Sequence, residues 1–293
     1  MIDRNKCCAR FAVHRLHRLH RIWRHHFKPN IAPNFSLLLA LLIVSFVFEA
    51  RGSLAQPSAD VDVELVLLAD ASNSIDEGEI RFQRQGYARA IEHRDVLSAI
   101  AQGDLQRIAV TFIEWGDEDS QDVVVPWTVV ANLSDARRFS DRLLAAPRRA
   151  FGSNAIGAAL LVAQDEIEGN AFRGARRVID FSGDSANNWS GISIAEARKR
   201  VLDAGTIING LAILCRTDDC GGRPVSYDLE KAFANDIIGG PGSFVITVDS
   251  ARRFAQAVRH KFILELAGIA SQSLSNRVAG CLLGSRYSTL CLD

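Results

Sequence analysis

Apolar and polar positions repeat with two different periods along most of the chain. Runs of Val, Ile and Leu predict strands at 61–68, 107–115, 177–181, 207–214 and 242–248. Apolar residues at helical spacing predict helices at 77–101, 134–146, 155–167, 193–204, 229–238 and 251–266. Strands that are apolar throughout are covered on both faces, so this alternation predicts a parallel α/β sheet with helices on both sides. One domain at 56–268 accounts for all of these elements.

A further apolar run at 123–130 contains Pro126. Proline has no backbone N–H to donate to a neighbouring strand, and it is therefore tolerated mainly in strands that have one free side. The run is consequently predicted to form an edge strand of the sheet.

The first 55 residues have a different character. Residues 1–34 contain eight Lys and Arg, one acidic residue and five of the seven His, and an uncharged apolar stretch follows at 35–48. Small residues at Ser53 and Ala55 complete the order of a secretory signal peptide, so segment 1–55 predicts export to the periplasm or secretion. The long basic start leaves two alternatives open, an uncleaved signal anchor and a start codon placed too far upstream.

The rest of the chain is acidic. After Ala55 it has 25 Lys and Arg against 32 Asp and Glu, a formal charge of −7. This charge argues against nucleic acid or an anionic membrane surface as the main partner, and a membrane contact is expected only through an uncleaved signal. The balance favours a cation as ligand.

The cysteines and the C-terminal residues do not lead to a specific structural prediction. Cys215 and Cys220 flank a short polar turn and could form a disulfide in an oxidising compartment, although free thiols remain the alternative. The spacing of the cysteines does not match a zinc site. Residues 269–293 have weak periodicity and stay unassigned.

Three loops that precede or follow the predicted elements carry oxygen-bearing side chains. Asp70-x-Ser72-x-Ser74 follows the first strand, Gly152-Ser153-Asn154 precedes a helix, and Ser182-Gly183-Asp184 ends a strand. Carboxylates and hydroxyls are hard ligands that suit Mg²⁺, Mn²⁺ or Ca²⁺ better than zinc. Ligands of open α/β sheets bind beyond the carboxyl ends of the strands, so these loops predict one divalent cation site.

At these residues the sequence resembles a known family. Asp70-Ala71-Ser72-Asn73-Ser74 matches the DxSxS signature of the von Willebrand factor type A (vWA) domain, over most of residues 61–268. The segments VELVLLADASNSID, GSNAIGAAL and RRVIDFSGD, together with residues 238–242, are similar to the bacterial exported proteins of the DUF1194 family. The resemblance implies a doubly wound, Rossmann-like, mostly parallel sheet with one antiparallel edge strand.

The same resemblance implies a metal-ion-dependent adhesion site (MIDAS). Its residues would be Asp70, Ser72, Ser74, Ser153 and Asp184. Ser153 stands where the family has Thr, and Asp184 is a better match than Asp180, which lies inside a predicted strand. Such a site holds Mg²⁺, or Mn²⁺ or Ca²⁺, and binds a protein ligand that presents an acidic side chain. The expected function is therefore an exported, non-enzymatic binding module.

Other interpretations stay open beside this one. The serines could only cap helices, which would leave a metal-independent structural or assembly scaffold with a vestigial site. Ser185 in Gly-Asp-Ser is also compatible with a serine hydrolase, but such an enzyme needs a His base, and only His93 and His260 follow the signal segment. Arg148 and Arg149 precede the second loop and could attract an acidic ligand.

Overall fold

The structure is a computed structural model that describes residues 59–214 and 225–267. The predicted signal peptide at 1–55, the pair Cys215 and Cys220, and the unassigned tail at 269–293 lie outside these described residues. Within the described ranges, no helix has both the length and the apolar composition needed to cross a bilayer.

Six strands form one central sheet. They are β1 (Ala59–Asp70), β2 (Ile108–Trp115), β3 (Gln121–Val130), β4 (Phe172–Gly183), β5 (Ile207–Ile213) and β6 (Val245–Val248). Their order across the sheet is β3-β2-β1-β4-β5-β6, and every neighbouring pair is parallel except β2 with β3. Pro126 lies in the antiparallel edge strand β3, so the predicted edge position is confirmed.

Helices cover both faces of this sheet. They are α1 (Glu77–Ile91), α2 (Arg94–Ala101), α3 (Leu133–Ala145), α4 (Ile156–Gly169), α5 (Ile194–Asp203), α6 (Leu229–Ala232) and α7 (Ala251–Ala267). Successive residues of β1 enter different cores: Leu65 and Leu67 pack with α1, α2, α3 and α7, and Val66 and Leu68 with α4, α5 and α6. The predicted doubly wound α/β fold, mostly parallel with one antiparallel edge strand, is confirmed.

Two predicted helices differ in the structure. The predicted helix 77–101 is two helices, because His93 has an extended backbone and its ring Nδ1 accepts a hydrogen bond from the backbone N–H of Asp95, which starts α2. The predicted helix 229–238 is α-helical only as far as Ala232. It continues as a π-helical turn over Phe233–Ile237.

Strand β4 is longer than predicted. Hydrophobic periodicity indicates residues 177–181, whereas the strand runs over Phe172–Gly183 and pairs with β1 along nearly its whole length. Its first half contains Arg173, whose guanidinium pairs with Asp60 of β1, and Arg176, which donates to the carbonyl oxygen of Glu265. Because these charged residues interrupt the apolar run, hydrophobic periodicity alone does not identify the first half of the strand.

The centre of the sheet brings two of the predicted loops together. β1 and β4 are adjacent and parallel, with Ala69 opposite Ser182, so the residues that follow each strand emerge at the same edge. The chain continues from β1 towards β2 on one side, while β4 lies on the other side. This is the switch point where ligands of open α/β sheets bind.

Candidate functional site

The loop after β1 forms a compact cluster of polar atoms. Asp70 is the last residue of the strand and is fully buried, and its Oδ1 accepts a hydrogen bond of 2.8 Å from the backbone N–H of Ser72. The turn brings the hydroxyl oxygens of Ser72 and Ser74 to 3.0 Å from each other. The three polar residues of DxSxS therefore converge.

Asp184 joins this cluster from the end of β4. The Ser74 hydroxyl donates to Asp184 Oδ1 at 3.3 Å, and the Asp184 side chain is almost completely buried. The contact follows from the register, because β1 and β4 end at the same edge of the sheet. The structure thus brings together four of the five predicted residues.

The second loop docks on the first through Asn73. The Asn73 backbone N–H donates to the Gly152 carbonyl oxygen at 2.9 Å, and the Gly152 N–H donates to Asn73 Oδ1 at 3.0 Å. Gly152 has a φ of +103°, a conformation that side chains rarely tolerate. Ser153 follows directly and is exposed, beside the cluster but without a side-chain hydrogen bond to it in the described parts of the chain. Sequence reasoning treats Asn73 as a variable position and misses this role.

One oxygen of the cluster lacks a partner. Asp70 Oδ2 is buried and accepts no hydrogen bond from any described residue. Gly183 leaves space beside it, because a Cβ at that position would lie 3.1 Å from this oxygen and 3.3 Å from the Trp115 ring. Buried carboxylate oxygens are normally satisfied, so an orphaned one needs an explanation.

Burial also determines the electrostatics of the cluster. Burial raises the pKa of Asp70 to about 7, and the nearby charge of Asp184 adds to the rise. Burial also raises the pKa of Asp184. Across residues 59–214 and 225–267, no Lys, Arg or His forms an ion pair with either carboxylate, and a bound cation would remove this imbalance.

The residues present fit a hard divalent cation. In the described part of the chain no group of three or more His, Cys, Asp or Glu is arranged to hold a metal. The cluster instead has two carboxylates, and its remaining oxygens belong to hydroxyls. Few-carboxylate, oxygen-only sites suit Mg²⁺, Mn²⁺ or Ca²⁺, with waters completing the coordination.

The family model described as "Protein of unknown function (DUF1194)" matches residues 60–270. The chain belongs to this family. Among curated protein sequences, none is similar enough to count as a match.

Solved structures show the fold of this DUF1194 chain. Proximal thread matrix protein 1 from the mussel byssus aligns over 72% of this chain and 49% of its own, with 13% identity and a TM-score of 0.51. The same protein with a zinc-occupied MIDAS motif aligns over 72% and 49%, with 15% identity and a TM-score of 0.50. BatB from Bacteroides thetaiotaomicron aligns over 70% and 99%, with 18% identity and a TM-score of 0.46.

The likeness to the mussel protein concerns the architecture. The chain spans about half the length of the mussel protein, and at this identity the similarity concerns the fold alone. The DUF1194 chain has a vWA-like fold, which confirms the resemblance drawn from its sequence.

Arg148 has a different position from the one its sequence suggests. Its side chain is mostly buried, and its Nη2 donates to the carbonyl oxygens of Ala71 at 2.7 Å and Ser72 at 3.3 Å. Arg149 is exposed and lies 3.7 Å from Asp122. Arg148 therefore positions the DxSxS loop of the DUF1194 chain instead of projecting towards a ligand.

Asp180 belongs to another cluster. It lies on the opposite face of β4 from Phe181, where the Lys261 ammonium of α7 is 2.8 Å from its Oδ1. Lys261 also pairs with Glu265, which accepts a hydrogen bond from Asn209 at 3.1 Å. Asp184 rather than Asp180 thus contacts the DxSxS loop, through the Ser74 hydroxyl.

The described residues of the DUF1194 chain do not form a Ser–His pair around Ser185. The Ser185 hydroxyl lies 3.3 Å from the Tyr227 hydroxyl and accepts a hydrogen bond from the Asn187 N–H. His93 caps α2 and contacts Arg259, and His260 is exposed on α7. The geometry gives the hydrolase interpretation no support.

Proposed function

We propose that the protein is a vWA-like, non-enzymatic binding module that holds a divalent cation and engages a protein partner through it. The cation would be Mg²⁺, or Mn²⁺ or Ca²⁺, at Asp70, Ser72, Ser74, Ser153 and Asp184. The observation that carries the proposal is the buried Asp70 Oδ2, which lacks a partner among the described residues and lies in a cluster with a second buried carboxylate.

Each residue has a distinct part in the proposed site. Asp70 and Asp184 supply the negative charge, and the hydroxyls of Ser72 and Ser74 converge on the same cluster. Ser153 is exposed at the rim and could add its hydroxyl from the second loop. A cation held mainly by neutral oxygens keeps enough Lewis acidity to accept an outside carboxylate, so the partner would present an acidic side chain.

One observation favours a second candidate, a metal-independent scaffold. The chain of hydrogen bonds from Ser72 through Ser74 to Asp184 satisfies three side chains without a metal. In this alternative the site is vestigial and Asp70 is kept neutral by its raised pKa. The two candidates differ in whether the protein binds a cation at all.

Calorimetric titration of the metal-stripped protein with Mg²⁺, Mn²⁺ and Ca²⁺ distinguishes them. A binding module takes up one cation with measurable heat, and Asp70→Asn abolishes that heat. Asp203→Asn, which removes an exposed carboxylate of α5, is the matched control and should bind like the parent. Absence of heat at millimolar cation in the parent would favour the scaffold.

We also propose that the protein is exported, to the periplasm or beyond. The support is the order of charges and apolar residues in segment 1–55. Cell fractionation with N-terminal sequencing of the recovered protein tests this. A mature N-terminus near Gln56 supports cleavage, and cytoplasmic recovery of the whole chain contradicts export.

A further inference from the structure

Three exposed aromatic residues lie in or beside the loops that form the candidate cation site. Trp189 is 72% exposed, Phe151 47% and Tyr227 37%. Among the described residues, the other large apolar side chains with comparable exposure are all leucines. Two of these, Leu105 and Leu133, lie near the opposite ends of the central strands, close to the pair formed by Ile108 of β2 and Val130 of β3. Exposed aromatic residues are therefore concentrated at one edge.

Each aromatic residue is fastened to a loop of the site. Phe151 precedes Gly152 and Ser153, and its backbone N–H donates to the Ser120 hydroxyl at 2.9 Å. The backbone N–H of Trp189 donates to the carbonyl oxygen of Asn154 at 2.7 Å.

Tyr227 is fastened to the loop of Asp184. Its hydroxyl accepts a hydrogen bond of 2.9 Å from the Ala186 N–H and lies 3.3 Å from the Ser185 hydroxyl. Aromatic side chains have few rotatable bonds and supply contact area at low entropic cost, as at the centres of protein interfaces. We call Phe151, Trp189 and Tyr227 the aromatic rim.

The charges around the aromatic rim are mostly negative. Asp76 and Glu77 follow the DxSxS loop, Glu118 and Asp119 lie in the turn between β2 and β3, and all four are exposed. Arg148 is mostly buried against backbone carbonyls and pairs with Glu77 at 3.3 Å, so it balances one of these four negative charges. A partner rich in acidic residues would be repelled here, so only an isolated acidic side chain is compatible with these surroundings.

We propose that the aromatic rim is a docking surface for a protein segment with a single acidic side chain flanked by aromatic or aliphatic and basic residues. The acidic side chain meets the cation, the apolar flanks contact Phe151, Trp189 and Tyr227, and the basic flanks face the acidic loops. This inference rests on the proposed cation site.

The test uses a library of short displayed peptides that share a fixed central aspartate between random flanks. The Mg²⁺-loaded protein should enrich peptides with aromatic or aliphatic flanks and with Lys or Arg over Asp or Glu. Trp189→Ser and Phe151→Ser should each weaken the enriched peptides about tenfold. The same peptides with asparagine at the centre should lose Mg²⁺-dependent binding.

Leu105→Ser is the matched control, since it removes an exposed apolar side chain just before β2, at the end of the strands away from the candidate site. It should leave peptide affinity unchanged. All three variants should keep the Mg²⁺ affinity of the parent, which shows that the candidate site is intact. Enriched flanks without the expected chemistry, or equal affinities for the rim variants and the control, overturn the docking surface alone. A parent that does not bind Mg²⁺ overturns the proposed function and the docking surface together.

A charge reversal tests the acidic loops separately. Glu118→Lys combined with Asp119→Lys should remove the selection against acidic flanks while the preference for aromatic flanks persists. If the flank charges selected by this variant match those selected by the parent, the electrostatic part of the inference is wrong.

Discussion

Strand β4 and the residue that directly follows it each contribute one carboxylate to a buried acidic cluster, and the two clusters are neutralised differently. Asp180 lies with Glu265 around the ammonium of Lys261, which is fully buried on α7. Asp184 lies with Asp70 among serine hydroxyls, and no described cationic side chain pairs with either of them. Burial raises the pKa of Glu265 and of Asp70 to about 7, so the same cost arises in both places.

The difference separates a structural element from a candidate binding site. The inner cluster carries its own cation and joins α7 to the sheet, through Asp180 of β4 and through Asn209 of β5. The outer cluster lies where β1 and β4 end, and no described Lys, Arg or His pairs with either of its carboxylates. A buried charge pair that lacks an internal counter-ion is suited to an external one.

Removing the internal cation should have the largest effect. Lys261→Met leaves two buried carboxylates without their partner, and we expect the free energy of unfolding to fall by about 3–5 kcal/mol in urea denaturation. Lys199→Met, which breaks the exposed pair with Asp203, is the control and should cost less than about 1 kcal/mol. Equal losses in both variants would show that the inner cluster does not hold α7 in place.

The pH dependence of stability should report on the inner cluster next. The pKa of Glu265 is raised from its ordinary 4.5 to about 7, mainly by burial. The native state therefore binds the proton more tightly than the unfolded chain, so this contribution is complete below about pH 4.5 and is lost as the pH rises through about 7. A shift of this size corresponds to on the order of 3 kcal/mol.

The measurement compares the parent with Glu265→Gln, which does not titrate at this position. Unfolding free energies are determined in urea from acidic to slightly alkaline pH. The parent should lose stability relative to the variant across the window between the two pKa values. A constant difference between the two proteins would contradict the raised pKa.

Asp180 of β4 and Asp184, which directly follows the strand, should differ in their response to metal. Saturation at about 100 times the Kd adds about 2.7 kcal/mol when a cation binds only the native state. We expect Asp184→Asn to lose this Mg²⁺-dependent rise in Tm and Asp180→Asn to retain it, whatever the basal stability of each variant. If both variants lose or both retain the rise, the assignment of Asp184 to the metal is wrong.

The smallest effect should come from the arginine behind the outer cluster. Arg148→Met removes the side-chain donor of the Ala71 carbonyl oxygen and a second donor of the Ser72 carbonyl oxygen, and about 1–2 kcal/mol of stability should be lost in thermal or urea unfolding. Arg149→Met is the control, since this exposed side chain only approaches Asp122, and it should cost less than about 0.5 kcal/mol. Equal costs would remove Arg148 from the support of the site.

Much of the fold is readable in the sequence because its signals are local. Strands β1 and β2 are rich in Val, Ile and Leu, and Pro126 restricts β3 to an edge, so these strands and one boundary of the sheet follow from composition alone. Hydrophobic periodicity does not reveal the break at His93, because the helical spacing of apolar residues continues on both sides of it. The break depends instead on the His93 side chain, which caps the following helix.

The candidate site is partly readable for the same reason. Asp70, Ser72 and Ser74 are close in sequence, and a single turn brings their side chains together. Asn73 and Arg148 are not recognisable in this way, since each acts across a long sequence separation through a backbone group of another loop. The aromatic rim likewise unites residues from three loops that share no motif.

The sequence by itself determined the alternation of strands and helices, the edge strand, the DxSxS turn and the acidic charge of the domain, because each depends on neighbouring residues or on composition. Only the tertiary structure decided which acidic residues acquire a cation of their own. Asp180 lies on β4 and Asp184 directly follows it, only four positions later, yet Lys261 comes from the last helix and reaches only Asp180. Charge compensation in a buried site depends on distances through space, which local sequence patterns do not contain.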